Sequence, residues 1–161
     1  PGRALPRPGP ALLPDEMSTV DRALERVFEG GEILGPVPDD AICRAEAELG
    51  VVFPDEYREF LGIFGAAVGN GIEIYGLPPN DPDAAPTWQS VVTVTRRLRE
   101  QRQAGTENQQ HIAISDDGMG TYFFLDTAAS PRTRIRAIGP YGDADAATSL
   151  LELVARSKRP S

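Results

Sequence analysis

The chain has 161 residues, and 24 acidic against 16 basic side chains leave a formal net charge of -8 at pH 7. That balance argues against a general nucleic-acid or anionic-membrane binder, both of which need a positive field, and suits a basic protein partner, since opposite potentials speed encounter. The single cysteine, Cys43, excludes an intramolecular disulfide, and a chain of this length buries roughly two-thirds of its unfolded surface, so one domain folds without a metal or a crosslink.

Residues 1–16 carry Pro1, Pro6, Pro8, Pro10 and Pro14. Proline fixes φ and donates no backbone hydrogen bond, so this stretch reads as a disordered lead: a cloning remnant, a start misread upstream of Met17, or the linker from a preceding domain. The domain is expected over 17–157, followed by a frayed basic tail at 158–161. No charged start with an apolar core marks a secretory signal, and no apolar run approaches the ~20 residues that span a membrane, so the expectation is a cytoplasmic protein.

Ser18 or Thr19 is placed to cap a first helix, whose apolar face is Val20, Ala23, Leu24, Val27 and Phe28. Gly30 and Gly31 end it, and 32–38 reads as a loop. Pro38, Asp39 and Asp40 start a second helix with Ile42, Ala45 and Leu49 facing inward and Gly50 past its end. Glu46 and Glu48 are expected in solvent, and Cys43 at the packed edge of the inward face. Pro54 with Asp55 and Glu56 opens a third helix, where carboxylates favour the positive end of the helix dipole. Tyr57, Phe60, Leu61 and Phe64 form its apolar stripe, and Gly65 ends it.

Gly69, Asn70 and Gly71 supply a turn tolerant of positive φ. Ile72, Ile74 and Gly76 then alternate with Glu73 and Tyr75, which predicts a half-buried strand with Glu73 and Tyr75 outward. A proline-rich loop over 78–87 leads to Trp88. The β-branched and arginine-rich stretch 89–103 reads as one helix, with Thr87 as cap, Val91, Val94, Thr95 and Leu98 inward, and Arg96, Arg97, Arg99 and Arg102 on a solvated face. After a polar loop, 111–126 reads as a hairpin turning through Asp116, Asp117, Gly118, Met119 and Gly120. A third strand is expected over 134–138. Gly139, Pro140, Tyr141 and Gly142 close it, and Asp143 or Asp145 is expected to cap a last helix packed through Leu150, Leu151 and Val154. The sum is an α+β fold, a mostly antiparallel sheet of about four to six strands packed against N-terminal and C-terminal helices.

The search for reactive chemistry returns little. His111 is the only histidine, so a Cys/His zinc site lacks ligands and any Ser–His or Cys–His device would depend on that one side chain. Neither Gly69-Asn70-Gly71 nor Gly118-Met119-Gly120 extends into a phosphate-binding pattern. Asp116, Asp117 and Asp126 lack the spacing of a calcium loop. The expectation is therefore no enzyme, no cofactor and no metal.

The order of elements resembles the SUKH superfamily, which also contains the yeast cell-wall-synthesis regulators. Glu48, the pair Leu49-Gly50, Pro54, Tyr57, the pair Phe60-Leu61 and the Asn70-Gly71 turn match its recurrent positions, as do Gly118, Gly120, Leu125 and Asp126 in the hairpin. The likeness runs from about Asp39 to Val154. Two departures stand out: Gly71 runs straight into Ile72, and Ala66, Ala67 and Val68 are inserted before the turn. The resemblance implies a bacterial immunity protein that neutralises a cognate polymorphic toxin, such as a nuclease, by stoichiometric occlusion. The alternative is a regulatory or scaffolding protein-interaction module of the same fold. The expected partner is a basic toxin protein, with no nucleic acid and no membrane, bound by a monomer or weak dimer. Candidate binding residues are Glu73, Tyr75, Trp88, Asp116, Asp117, Tyr141 and Asp143, with aromatic anchors and acidic steering groups.

Overall fold

The computed structural model describes residues 19–69, 71–77 and 90–157. The chain order is α1 (Thr19–Val27), β1 (Glu32–Ile33), α2 (Asp39–Leu49), α3 (Asp55–Ile63), β2 (Ala67–Gly69), β3 (Ile72–Ile74), α4 (Val91–Glu100), β4 (His111–Asp116), β5 (Tyr122–Asp126), β6 (Ile135–Gly139), β7 (Gly142–Ala147) and α5 (Leu150–Ser157). The strands form two antiparallel sheets, β1-β2-β3 and β4-β5-β6-β7, so the fold is the α+β class expected. The sheets meet at one seam, where the Tyr75 N–H donates to the Ile114 carbonyl at 2.7 Å and the Ser115 hydroxyl donates to the Glu73 carbonyl at 2.6 Å.

Sequence periodicity accounts for the helices. Leu24 and Phe28 are buried on the α1 side, and α1 packs against α5. Asp39 and Asp40 sit in the first turn of α2, and Gly50 closes it at φ 72°, its N–H donating to the Glu46 carbonyl. In α3, Tyr57, Phe60 and Leu61 are buried, and Phe53, Tyr57, Phe60 and Phe64 form a chain of ring contacts with centroids 5.2 to 6.0 Å apart. Each such burial contributes on the order of 1.5–3 kcal/mol, so this row anchors the domain. α4 is one helix, with Val91, Val94, Thr95 and Leu98 buried as expected. The Thr95 hydroxyl accepts from the Ala113 N–H at 3.0 Å, tying α4 to β4.

Several expectations are corrected. Ser90 caps α4: its side chain accepts from the Val92 N–H at 3.1 Å, whereas the proposed cap Thr87 and the loop 78–87 lie outside the described residues. Glu32 and Ile33 pair with Val68 and Ala67 instead of forming a loop, and Ala67–Gly69 is a strand instead of part of a turn. The inserted Ala66, Ala67 and Val68 thus complete a small sheet, while Gly71 at φ 81° makes the reversal into β3. Residues 142–147 do not cap the last helix. They form the strand β7, and Ser149 caps α5, accepting from the Glu152 N–H at 3.0 Å. Glu152 reaches back to the Thr148 N–H at 2.8 Å, close to a capping box.

Two side chains of α2 also differ from expectation. Cys43 is exposed, its sulfur 3.8 Å from an Asp39 carboxylate oxygen. Glu46 leaves solvent to join three segments: it accepts from the Phe53 N–H at 2.7 Å and from Arg58 at 2.6 Å. Burial acts to lower the Arg58 pKa, but Glu46, Cys43 and Asp39 together raise it above the usual arginine value. Arg99 is not fully solvated, since it donates to the carbonyls of Leu49 and Gln109 at 3.3 and 2.9 Å. Burial, and then Arg96, lower its pKa. The residues 1–16 and the tail 158–161 lie outside the described residues.

Candidate functional site

The four-stranded sheet is a meander, so the β4–β5 and β6–β7 turns lie at the same end. They touch: a Cβ on Gly120 would come 3.4 Å from Pro140, and one on Gly139 would strike the Thr121 hydroxyl at 2.5 Å. Glycine at 139 is what lets the two turns lie this close. The Asp117 carboxylate organises the first turn, one oxygen accepting from the N–H groups of Met119 at 2.7 Å and Thr121 at 3.1 Å. The Asp116 carboxylate accepts from the Gly118 N–H at 2.9 Å. These are Asx-type bonds that fix a turn through its own side chains.

Held on this base, Met119 is 71% exposed and Tyr141 is 84% exposed. They are two of the four large exposed apolar side chains among the described residues. Asp143, second in β7, follows Tyr141 by two residues and pairs with Arg136. Arg136 also reaches Asp145 at 3.2 Å, and Arg134 bridges Asp145 and Asp126 at 3.1 and 3.4 Å, an ion-pair ladder across β6 and β7. Ladders of cross-strand opposite charges favour this register.

The seam between the sheets adjoins this end. Glu73 is half-buried there, its carbonyl held by Ser115. Tyr75, expected on the outer face, is 1% exposed. Its hydroxyl donates to Asp116, and its carbonyl accepts from the Tyr57 hydroxyl at 2.7 Å. The reason is that β3 ends at Ile74, so the alternation stops one residue before Tyr75 and the ring turns into the core. Burial, then the hydrogen bond and charge of Asp116, push the Tyr75 hydroxyl pKa well up; burial does the same for Tyr57. Tyr75 therefore positions Asp116 and offers a partner no surface. Trp88 lies outside the described residues.

The structure thus brings Asp116, Asp117, Tyr141 and Asp143 to one end of one sheet, with Glu73 and Tyr75 behind them. Sequence reasoning missed Met119. Its signal was position: an apolar side chain at the tip of a turn flanked by two glycines cannot be covered by its own hairpin. His111, the one histidine, is buried, stacked on Phe124 with centroids 5.6 Å apart and 2.9 Å from the Gly105 carbonyl through Nδ1. That is a packed role. Among the described residues, no cluster of three or more His, Cys, Asp or Glu is arranged to hold a metal ion, and no helix is long and apolar enough to cross a membrane. What the tip offers is two exposed apolar side chains on turns that touch, one of them held by the Asp116 and Asp117 carboxylates. Such a surface recognises another surface by shape, burial and charge.

Residues 18–137 match the family model described as SUKH_5, SMI1-KNR4 cell-wall. The match spans well over half of the chain, from just before α1 to the middle of β6. No curated protein matches the chain at a significant level.

Proposed function

The chain belongs to the SMI1-KNR4 family of the SUKH superfamily, and from that premise we propose that it is a protein-binding immunity protein that occludes a cognate toxin inside the producing cell. The observation that carries this reading is the tip of the four-stranded sheet, where Tyr141 and Met119 stand exposed above Asp116 and Asp117 on a scaffold fixed by hydrogen bonds. Exposed aromatic and methionine side chains supply the buried anchors of an interface. The carboxylates and the net charge of -8 favour encounter with a basic protein such as a nuclease. Inhibition of this kind works by covering the toxin's working surface one to one, and needs no reaction, cofactor or metal. The family's cell-wall description favours a second reading, a regulatory protein-interaction module using the same face.

The test is co-expression of the chain with the toxin domain encoded by the adjacent reading frame. The expected result is restored growth and a one-to-one complex by size exclusion. Tyr141→Ala should weaken the complex by about 2 kcal/mol, a hot-spot loss, with an unchanged melting temperature. A protein that neither binds nor protects against any toxin encoded beside it would overturn the immunity reading. Binding to a cellular protein without protection would select the regulatory one.

A further inference from the structure

A cleft of about 430 Å³ opens beside the tip, where the core-side face of the four-stranded sheet meets Ile72 of β3 and Leu153 of α5. Its origin lies in strand register. Phe123 pairs with Ala137, and Ala137 pairs with Ala144, so the three side chains stand in one row on one face of the sheet. Two alanines in that row leave a hollow that larger residues would have filled. Ile72 and Leu153 close its sides. At its rim stand Asp116 and Asp117.

These two carboxylates differ from the other acids of the sheet. Asp126, Asp143 and Asp145 are each paired with an arginine. Among the described residues, Asp116 and Asp117 have hydrogen bonds only to neutral groups, the Tyr75 hydroxyl and backbone N–H groups. Neither has a cation within ion-pairing distance among the described residues, and the second oxygen of Asp117 accepts no bond there. An ionised carboxylate has about four lone-pair sites, so both retain open acceptor positions while their orientation is already fixed. Among the described residues, no lysine or arginine lines the cleft.

We propose that this cleft is the anchor pocket for one arginine side chain projected by the bound partner protein. The aliphatic stem lies along the Phe123–Ala137–Ala144 row, and the guanidinium reaches the two rim carboxylates. The choice of arginine follows from the shape and charge together. An apolar trough takes the methylenes that an arginine keeps out of water, and the ring of Phe123 offers a face for the planar head. A planar fork of donors also matches fixed carboxylate oxygens better than a point charge does. The inference rests on the protein-binding reading above and names the contact that would give it specificity.

The test titrates isotope-labelled protein with N-acetyl-arginine amide while following backbone amide NMR shifts. Saturable shifts centred on Ile72, Asp117, Phe123 and Ala144 are expected, and none with the uncharged N-acetyl-citrulline amide. Ala144→Leu, which fills the hollow and leaves charge unchanged, should weaken the effect by about tenfold or more, as should Asp117→Asn, which keeps the turn bonds and removes the charge. Two variants guard against a folding defect in either. Absence of shifts at the cleft, equal shifts with citrulline, or full binding by both variants overturns the proposal. The partner complex separates the two readings. If the wild-type chain captures a toxin and Ala144→Leu captures it equally well, the pocket is wrong and the protein-binding reading stands. If arginine amide saturates the cleft but no toxin binds, the pocket stands and the immunity reading falls.

Discussion

Tyr75→Phe removes one atom from the junction of the two sheets and tests how the tip is held. The ring is 1% exposed, so Phe preserves the packing. What goes is the bond from the hydroxyl to the Asp116 carboxylate. A hydrogen bond to a charged group contributes about 1.5–3 kcal/mol, but Asp116 is half-buried and water can restore part of its solvation, so about 1–2 kcal/mol is the expected loss. For a domain of this size that corresponds to a melting temperature lower by roughly 2–8 °C. The assay is chemical denaturation of the wild type, Tyr75→Phe, Asp116→Ala and the double variant. The coupling energy from this cycle should reach about 1 kcal/mol, beyond the ~0.5 kcal/mol scatter of independent sites. Tyr75→Phe should also weaken partner binding far less than Tyr141→Ala, because Tyr75 acts through Asp116 and touches nothing outside. Coupling indistinguishable from zero would refute the claim that Tyr75 positions this carboxylate.

Tyr57 and Tyr75 both have hydroxyl pKa values raised by the fold, so their protonated forms are favoured in the native state. Their contribution is fully present below the unfolded tyrosine pKa of about 10 and is lost as pH rises above it. Denaturant midpoints should therefore fall between pH 9 and roughly pH 11, and Tyr57→Phe should flatten that fall; an equal slope in the variant would contradict the assignment. Glu46→Ala strands the Phe53 N–H and leaves Arg58 paired with Asp39 alone, and should cost about 1–3 kcal/mol in thermal or chemical unfolding. Glu46→Gln, which keeps an acceptor for the Phe53 N–H, should cost less, and equal losses for the two would show that charge alone matters there.

The fold was legible wherever burial follows a helical period. α2, α3 and α4 each carry one apolar stripe in sequence, and in α2 and α3 a proline and first-turn acids mark where the stripe begins. The hairpin of β4 and β5 was legible because its turn carries Asp-Gly chemistry between two apolar runs. β1, β2 and β7 were not. β7 reads GDADAA, without a β-branched or aromatic side chain, and Gly and Asp are depleted in strands. It is a strand because β6 lies beside it and because Arg136 meets Asp143 and Asp145 across the pair. That information is tertiary. The same gap explains Glu46, whose partners Phe53 and Arg58 lie on segments that only the packing of α2 against α3 brings near.

The candidate site was legible as residue types and not as a surface. Asp116 and Asp117 look like ordinary turn acids, and the structure does give them that role. A turn role and a binding role are not competing explanations for these two residues. The bonds to Met119, Thr121 and Gly118 occupy part of each carboxylate and in doing so fix where the remaining lone pairs point. A carboxylate ordered in advance loses less entropy on meeting a cation than a free one. The hollow beside them follows the same logic, since Ala144 lies in a stretch that reads as a helix start and becomes part of a pocket only once strand register sets it in line with Ala137 and Phe123. Substitution at Asp117 separates the two roles: asparagine keeps the turn, so any loss of binding in that variant is a loss of charge.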